Sequence, residues 1–169
     1  MLDFSKHFYM LDGGMGTMLQ AYGLEPGEPP ALLAVTNPEL ITSIHRQYVE
    51  AGADILYANT FGTNRYKLEG YGYSPGQIID SAIKAARAAC KEDTLVALDV
   101  DPLGELLEPM GTLTFEEAYD AFCEVVKQGE ASGADLIVIE TMTDLYEVKA
   151  AVLAAKEQTN LPVMVSMTF

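Results

Sequence analysis

Glu50-Ala51-Gly52-Ala53-Asp54-Ile55-Leu56-Tyr57-Ala58-Asn59-Thr60-Phe61 reads as a helix end, a Gly-Ala-Asp turn, an apolar strand, then a polar residue followed by threonine. The same grammar returns in Ser132-Gly133-Ala134-Asp135-Leu136-Ile137-Val138-Ile139-Glu140-Thr141-Met142. Near-continuous apolar runs of this length suit strands covered on both faces, as in a parallel sheet. The two copies put Asn59 and Glu140 at equivalent strand ends. A repeated half-unit of this kind fits a barrel better than a sheet with a switch point.

Working outward, three further runs have β character: Tyr9-Met10-Leu11-Asp12, Leu95-Val96-Ala97-Leu98-Asp99-Val100, and Pro162 to Phe169. The segments between carry helical punctuation. Asn37 or Thr36 caps a helix with Pro38 in its first turn, and Leu40, Ile41, Ile44 and Tyr48 form its apolar face up to Gly52. Ser74-Pro75 opens a second helix. Thr114 with Glu117 forms a capping box, and Asp144 with Glu147 fits a similar reciprocal cap. Strand and helix alternate four times before a final strand, which predicts βαβ units and a parallel sheet. The stretch Gly23 to Pro30 reads as a rigid connector, and no linker or second domain interrupts residues 1–169.

Length bounds this reading. A closed (βα)8 barrel needs ~200–250 residues, whereas the chain has 169. The expectation is therefore an α/β fold that forms the first half of a barrel, about four βα units plus a fifth strand. Ten Lys and Arg against 25 Asp and Glu give a net charge of −15, which repels phosphate backbones and anionic membranes and argues against nucleic acid as a partner. No run approaches the ~18 apolar residues of a membrane span. Residues 1–7 lack the charged-then-apolar layout of a leader. Cys90 and Cys123 have no CxxC spacing and no nearby His, so they read as small buried or half-buried fillers inside helices of a cytoplasmic protein.

In parallel α/β folds the site lies at the carboxyl ends of the strands. Asp12 leads into Gly13-Gly14 there, Asn59 into Thr60, Asp99 and Asp101 flank Val100, and Glu140 precedes Thr141. Asp12-Gly13-Gly14-Met15-Gly16-Thr17 lacks the GxGxxG order and a P-loop lysine, so nucleotide binding is a poor fit. An aspartate before flexible backbone can hold an ammonium while following N–H groups take a carboxylate, an arrangement suited to an amino-acid zwitterion. The simpler role is a tight strand-to-helix turn that needs glycine. Glu140 ends an apolar strand and requires a partner, either a substrate ammonium shared with Asp12 or a salt bridge to Arg65 or Lys67. His7 and His45 form no metal or triad pattern, and His45 is expected to face solvent or to pack. A Schiff-base lyase would need a lysine on a strand, but Lys67, Lys84, Lys91, Lys127, Lys149 and Lys156 fall on loops and helices.

These motifs together resemble the homocysteine S-methyltransferase domain, especially the N-terminal module of cobalamin-dependent methionine synthase. Asp12-Gly13-Gly14-Met15-Gly16-Thr17-Met18-Leu19 resembles the family's opening strand and loop. Ala58-Asn59-Thr60-Phe61-Gly62-Thr63-Asn64-Arg65 resembles its second-strand signature. Leu106-Leu107-Glu108-Pro109-Met110-Gly111 resembles the loop after strand three, and Ile139-Glu140-Thr141-Met142-Thr143-Asp144-Leu145 the fourth-strand motif. The resemblance implies a (βα)8 barrel that moves a methyl group onto homocysteine sulfur. It implies that Asp12 and Glu140 hold the substrate ammonium, with backbone around Gly13 near the carboxylate and Asn59 and Thr60 lining the mouth.

The family activates the thiol on zinc, held by three cysteines of later strands, and none of these is present here. The resemblance therefore implies zinc and a methylcobalamin donor for a complete family protein, with neither bound by this chain and no catalytic or metal residue assigned within it. The implied partners are homocysteine, a C-terminal barrel half, and a corrinoid or folate module. Asp101-Pro102 departs from the family's small residue before proline, either disturbing substrate approach or standing as a tolerated variant. The expected function is the substrate-binding half of a homocysteine methyltransferase, inactive alone. The alternative is a non-enzymatic half-barrel that self-associates through its open edge.

Overall fold

Each Gly-Ala-Asp turn ends a helix on a left-handed glycine, Gly52 at φ 104° and Gly133 at φ 94°, and its aspartate then locks onto the neighbouring strand. Asp135 donates from its backbone N–H to Val96 O at 2.8 Å, while its carboxylate accepts from Val96 N at 2.7 Å. Asp54 repeats both contacts with Met10, each at 2.8 Å. The internal echo is thus a register pin used twice.

The computed structural model describes residues 8–169. The leader reading of residues 1–7 and the reading of His7 lie outside the described residues. In chain order the elements are α1 (Met15–Ala21), a 3-10 turn (Pro30–Leu32), α2 (Leu33–Thr36), α3 (Pro38–Ala51), β1 (Ile55–Tyr57), α4 (Pro75–Arg87), β2 (Leu95–Val100), α5 (Phe115–Ala131), β3 (Leu136–Met142), α6 (Leu145–Gln158) and β4 (Val163–Met167). The strands pair in parallel in the order β1-β2-β3-β4. Sequential order without a reversal is that of a partial barrel, as the repeat implies.

The expected first strand is reduced to a single parallel bridge, Leu11 to Ile55. Asp12 N donates to Ile55 O, but the next ladder position is taken by a side chain, since Tyr57 N donates to Asp12 Oδ2 at 3.0 Å. A carboxylate has replaced the backbone carbonyl that would have extended the strand.

Strand alternation sorts the core into two layers. Leu56, Val96, Leu98, Val100, Ile137 and Ile139 face the helices, whose inward residues include Ile78, Ile79, Phe122, Val126 and Ala151. Ile55, Ala97, Leu136 and Val138 form a smaller cluster on the opposite face, with Tyr57 and Met164 packed against it. Gly129 lets α5 approach the sheet closely: a Cβ there would stand 2.4 Å from Leu98 Cδ2.

Helix starts follow the expected chemistry. Asn37 caps α3 by accepting from Leu40 N, and reciprocal boxes form at Ser74/Gln77 and Thr114/Glu117. At α6 only half the expected box forms. Asp144 accepts from Tyr146 N and Glu147 N, but the Glu147 carboxylate accepts from Leu103 N at 2.7 Å, which ties α6 to the loop after β2. Cys123 lies buried in α5, whereas Cys90 falls just past the end of α4, not inside it. Among the described residues no helix is long and apolar enough to cross a membrane.

Candidate functional site

The same alternation that builds the core delivers the site. Tyr57 shares the face of Ile55, Asp99 that of Ala97, and Glu140 that of Val138, so all three emerge from the inner layer at the carboxyl ends of β1, β2 and β3. With the Asp12–Gly16 loop, Pro30, Asn59 and Phe61 they line a cavity of about 350 Å³.

Asp12 enters through the ladder contact just described, with its side chain 4% exposed. Burial pushes its carboxyl up to about 7, and the nearby Glu140 charge adds to the rise while the Tyr57 N–H opposes it. Asp99 is buried more deeply, which together with Glu140, Asp101 and Asp12 holds its carboxyl well above the usual range. Glu140 is raised too, by burial first and then by Asp101. Its placement uses irregular backbone: the β3–β4 register shifts between Ile139 and Met142, and Thr141 adopts φ 55°. Such a bulge re-aims a side chain, and a β-branched residue in the left-handed region stores strain at the site.

Of the residues expected here, Asp12, Gly13, Asn59 and Glu140 line the cavity. Asn59 donates to Pro30 O at 2.8 Å and so fastens the Gly23–Pro30 connector over the strand end. Thr60 does not line it: its buried hydroxyl donates to Asp99 O at 2.7 Å and accepts from Asp99 N at 3.0 Å, holding β2's end in place. Gly13 lies close under Tyr48: a Cβ there would stand 2.9 Å from the ring, which would have to shift to admit it. The salt bridge considered for Glu140 is absent. Arg65 pairs with Glu124 and Lys67 with Asp101, leaving Glu140 without a cation among the described residues.

Motif reasoning misses Tyr57 and Phe61 as site residues, although the period-two pattern of Ile55-Leu56-Tyr57 signals the first. Asp99 is visible as a polar strand end. His45, fully buried with Nδ1 3.9 Å from Asp12 Oδ2, has no sequence signal beyond its place on an apolar helix.

The residues present do not fit the zinc site that the resemblance implies. Cys90 and Cys123 belong to the helix-side core and neither lines the cavity. Among the described residues no three His, Cys, Asp or Glu side chains group to hold a metal ion.

Comparison with known proteins agrees with this geometry. The profile of the homocysteine S-methyltransferase family matches residues 9–169. A methionine synthase of Mycobacterium tuberculosis is 34% identical over 167 residues, covering 90% of this chain and 14% of that protein. The oxidized form of the Escherichia coli homocysteine methyltransferase MmuM superposes with a TM-score of 0.85 at 24% identity, over 98% of this chain and 64% of that one. Its metallated form gives the same score over 65% of its length. The chain thus spans under two thirds of each of these relatives.

Proposed function

The chain belongs to the homocysteine S-methyltransferase family, and from that membership we propose that its cavity holds homocysteine for methyl transfer to the sulfur, with methionine as product. One observation carries the reading. Three carboxyls, Asp12, Asp99 and Glu140, converge on one cavity, and no lysine or arginine among the described residues pairs with any of them. Buried like charges raise one another's pKa and favour an incoming cation. The ammonium of an amino acid supplies it, held by Asp12 and Glu140, while backbone N–H groups around Gly13 take the carboxylate. A few hundred cubic ångströms suits a small amino acid.

In the family, zinc when bound would lower the pKa of the substrate thiol so that its thiolate is available at neutral pH. This chain's own residues bind and orient the amino-acid head and exclude water from it. We assign it to the N-terminal part of a longer barrel domain, without turnover alone, working with a C-terminal half and a methylcobalamin-bearing module in the cytoplasm. Titration calorimetry with homocysteine tests the pocket: Asp12→Asn and Glu140→Gln each weaken binding at least about tenfold, as expected for a charge-assisted contact. Unchanged affinity in both would overturn it. Stoichiometric zinc binding with homocysteine methylation by the 169-residue chain would overturn the inactive-half reading.

The second reading, pairing of two copies, is favoured by the apolar trough that Val148, Val152 and Leu153 of α6 form with Val165 and Met167 of β4. Light scattering separates the two, since a monomer at tens of micromolar removes this second reading.

A further inference from the structure

Helix α3 stands behind the Asp12–Gly14 loop, and two residues one turn apart reach it. Tyr48 donates from its hydroxyl to Gly14 O at 3.2 Å and packs its ring over Gly13. His45, three positions earlier, is wholly buried with Nδ1 facing Asp12 Oδ2 at 3.9 Å. Neither ring nitrogen has a hydrogen-bond partner among the described residues. Buried polar groups are otherwise nearly always paired, so an unpaired imidazole beside a binding carboxylate calls for a role.

Burial pushes His45 down to about 4, so at neutral pH the ring is uncharged and carries one N–H. A neutral donor can orient a carboxylate without cancelling the charge that a substrate ammonium needs. A lysine in its place would compete with the ligand. The gap is about 1 Å longer than a hydrogen bond, and such contacts often tighten only when ligand binds.

We infer that His45 is a positioning residue of the amino-acid pocket, donating from Nδ1 to Asp12 Oδ2 so that Oδ1 is left for the substrate ammonium. The Tyr57 N–H already falls on Oδ2, so both protein contacts share one oxygen. The inference rests on the reading of Asp12 as an ammonium ligand. The groups facing Asp12 are Glu140 from β3, Asp99 from β2, Tyr57 from β1, and Tyr48 with His45 from α3.

The test is an NMR titration of the 169-residue chain, following the Asp12 carboxyl carbon and the His45 ring nitrogens with and without homocysteine. His45→Leu keeps the volume but not the donor, and His45→Asn keeps an N–H near the Nδ1 position. Loss of a donor to the charged form raises the Asp12 midpoint, by about half a unit or more in His45→Leu. His45→Asn returns it toward wild type, and the acid limb of homocysteine binding moves by the same amount. Equal midpoints in the homocysteine complexes of all three proteins overturn the inference. Should His45→Leu not fold, the wild-type ring decides alone: an Nδ1–H tautomer in the ligand complex supports the role and an Nε2–H tautomer overturns it. If wild type binds no homocysteine, the functional reading fails; if it binds and the midpoints in the three complexes agree, the inference alone fails.

Discussion

At Asp12 and His45 two buried titratable side chains meet with opposite leanings. The carboxyl is raised from 3.8 to about 7 and the imidazole lowered from 6.5 to about 4, so near neutrality a half-ionised acid, which an incoming ammonium would shift to carboxylate, stands beside a neutral ring. Their linkage signs oppose each other. The folded chain holds the Asp12 proton more tightly than the unfolded chain, so that stabilisation is complete below about pH 4 and is lost as pH rises toward 7. His45 stabilises as the neutral form, complete above about pH 6.5 and lost as pH falls toward 4. The two slopes partly cancel in wild type and separate in variants. Relative to wild type, the thermal midpoint of Asp12→Asn falls less steeply with rising pH between 4 and 7, whereas that of His45→Leu falls more steeply between pH 4 and 6.5. Scanning calorimetry across that range checks both, and parallel profiles would contradict the assignment. The raised Asp99, Asp101, Glu140 and Glu147 carboxyls act in the direction of Asp12 across the whole range in all three proteins, so the difference from wild type isolates each side chain. Asp12 and Glu140 are legible in the sequence because a carboxylate closing an apolar run is costly wherever it lies. His45 is not, because its contact depends on how α3 packs against the loop, and nothing local encodes that angle.

Among the elements, the Gly-Ala-Asp turns do the most for the architecture. Asp135 takes Val96 N at 2.7 Å and Arg87 Nη2 at 2.7 Å, joining β3 to β2 and to the end of α4. Asp54 makes the corresponding contact to Met10 from a more exposed position. Hydrogen bonds to charged groups contribute ~1.5–3 kcal/mol when shielded and less when solvated. Asp135→Ala is therefore expected to destabilise the fold by about 2 kcal/mol and Asp54→Ala by about 1 kcal/mol, read from urea midpoints at unchanged slope. Equal, negligible losses would mean that strand packing alone sets the register. The repeat itself, the helix caps at Ser74 and Thr114, and the parallel order of the sheet can all be read from local pattern, since caps and strand runs are local chemistry. Three features cannot: the first strand shrinking to one bridge, Glu147 leaving its cap for Leu103 N, and Thr60 turning toward Asp99. In each, a side chain is captured by a backbone group distant in sequence, and local spacing says nothing of that competition.

For the whole molecule, the division of faces sets what it can discriminate. The helix side is apolar core, and the inner side ends in an acidic cavity lined by Asp12, Asn59, Asp99 and Glu140. No cluster among the described residues fits a thiol-activating metal, so the proposed binding of homocysteine carries the expectation that its thiol is poorly distinguished from a thioether. A single methyl in such a pocket changes affinity by about 10–200-fold. The 169-residue chain is therefore expected to bind homocysteine and methionine within about that factor of each other, with values unaffected by a metal chelator. N-acetylhomocysteine, which lacks the ammonium, should not bind measurably, because the Asp12 and Glu140 carboxylates would keep no cation. Net charge of −15 adds long-range repulsion against any ligand left anionic by that acetylation. Competition calorimetry in chelator distinguishes the cases. A preference for homocysteine above about a thousandfold, beyond the ~10–200-fold that one methyl gives, would require a thiol-specific group within this chain, and equal binding of the acetylated ligand would remove the carboxylates from the recognition of substrate.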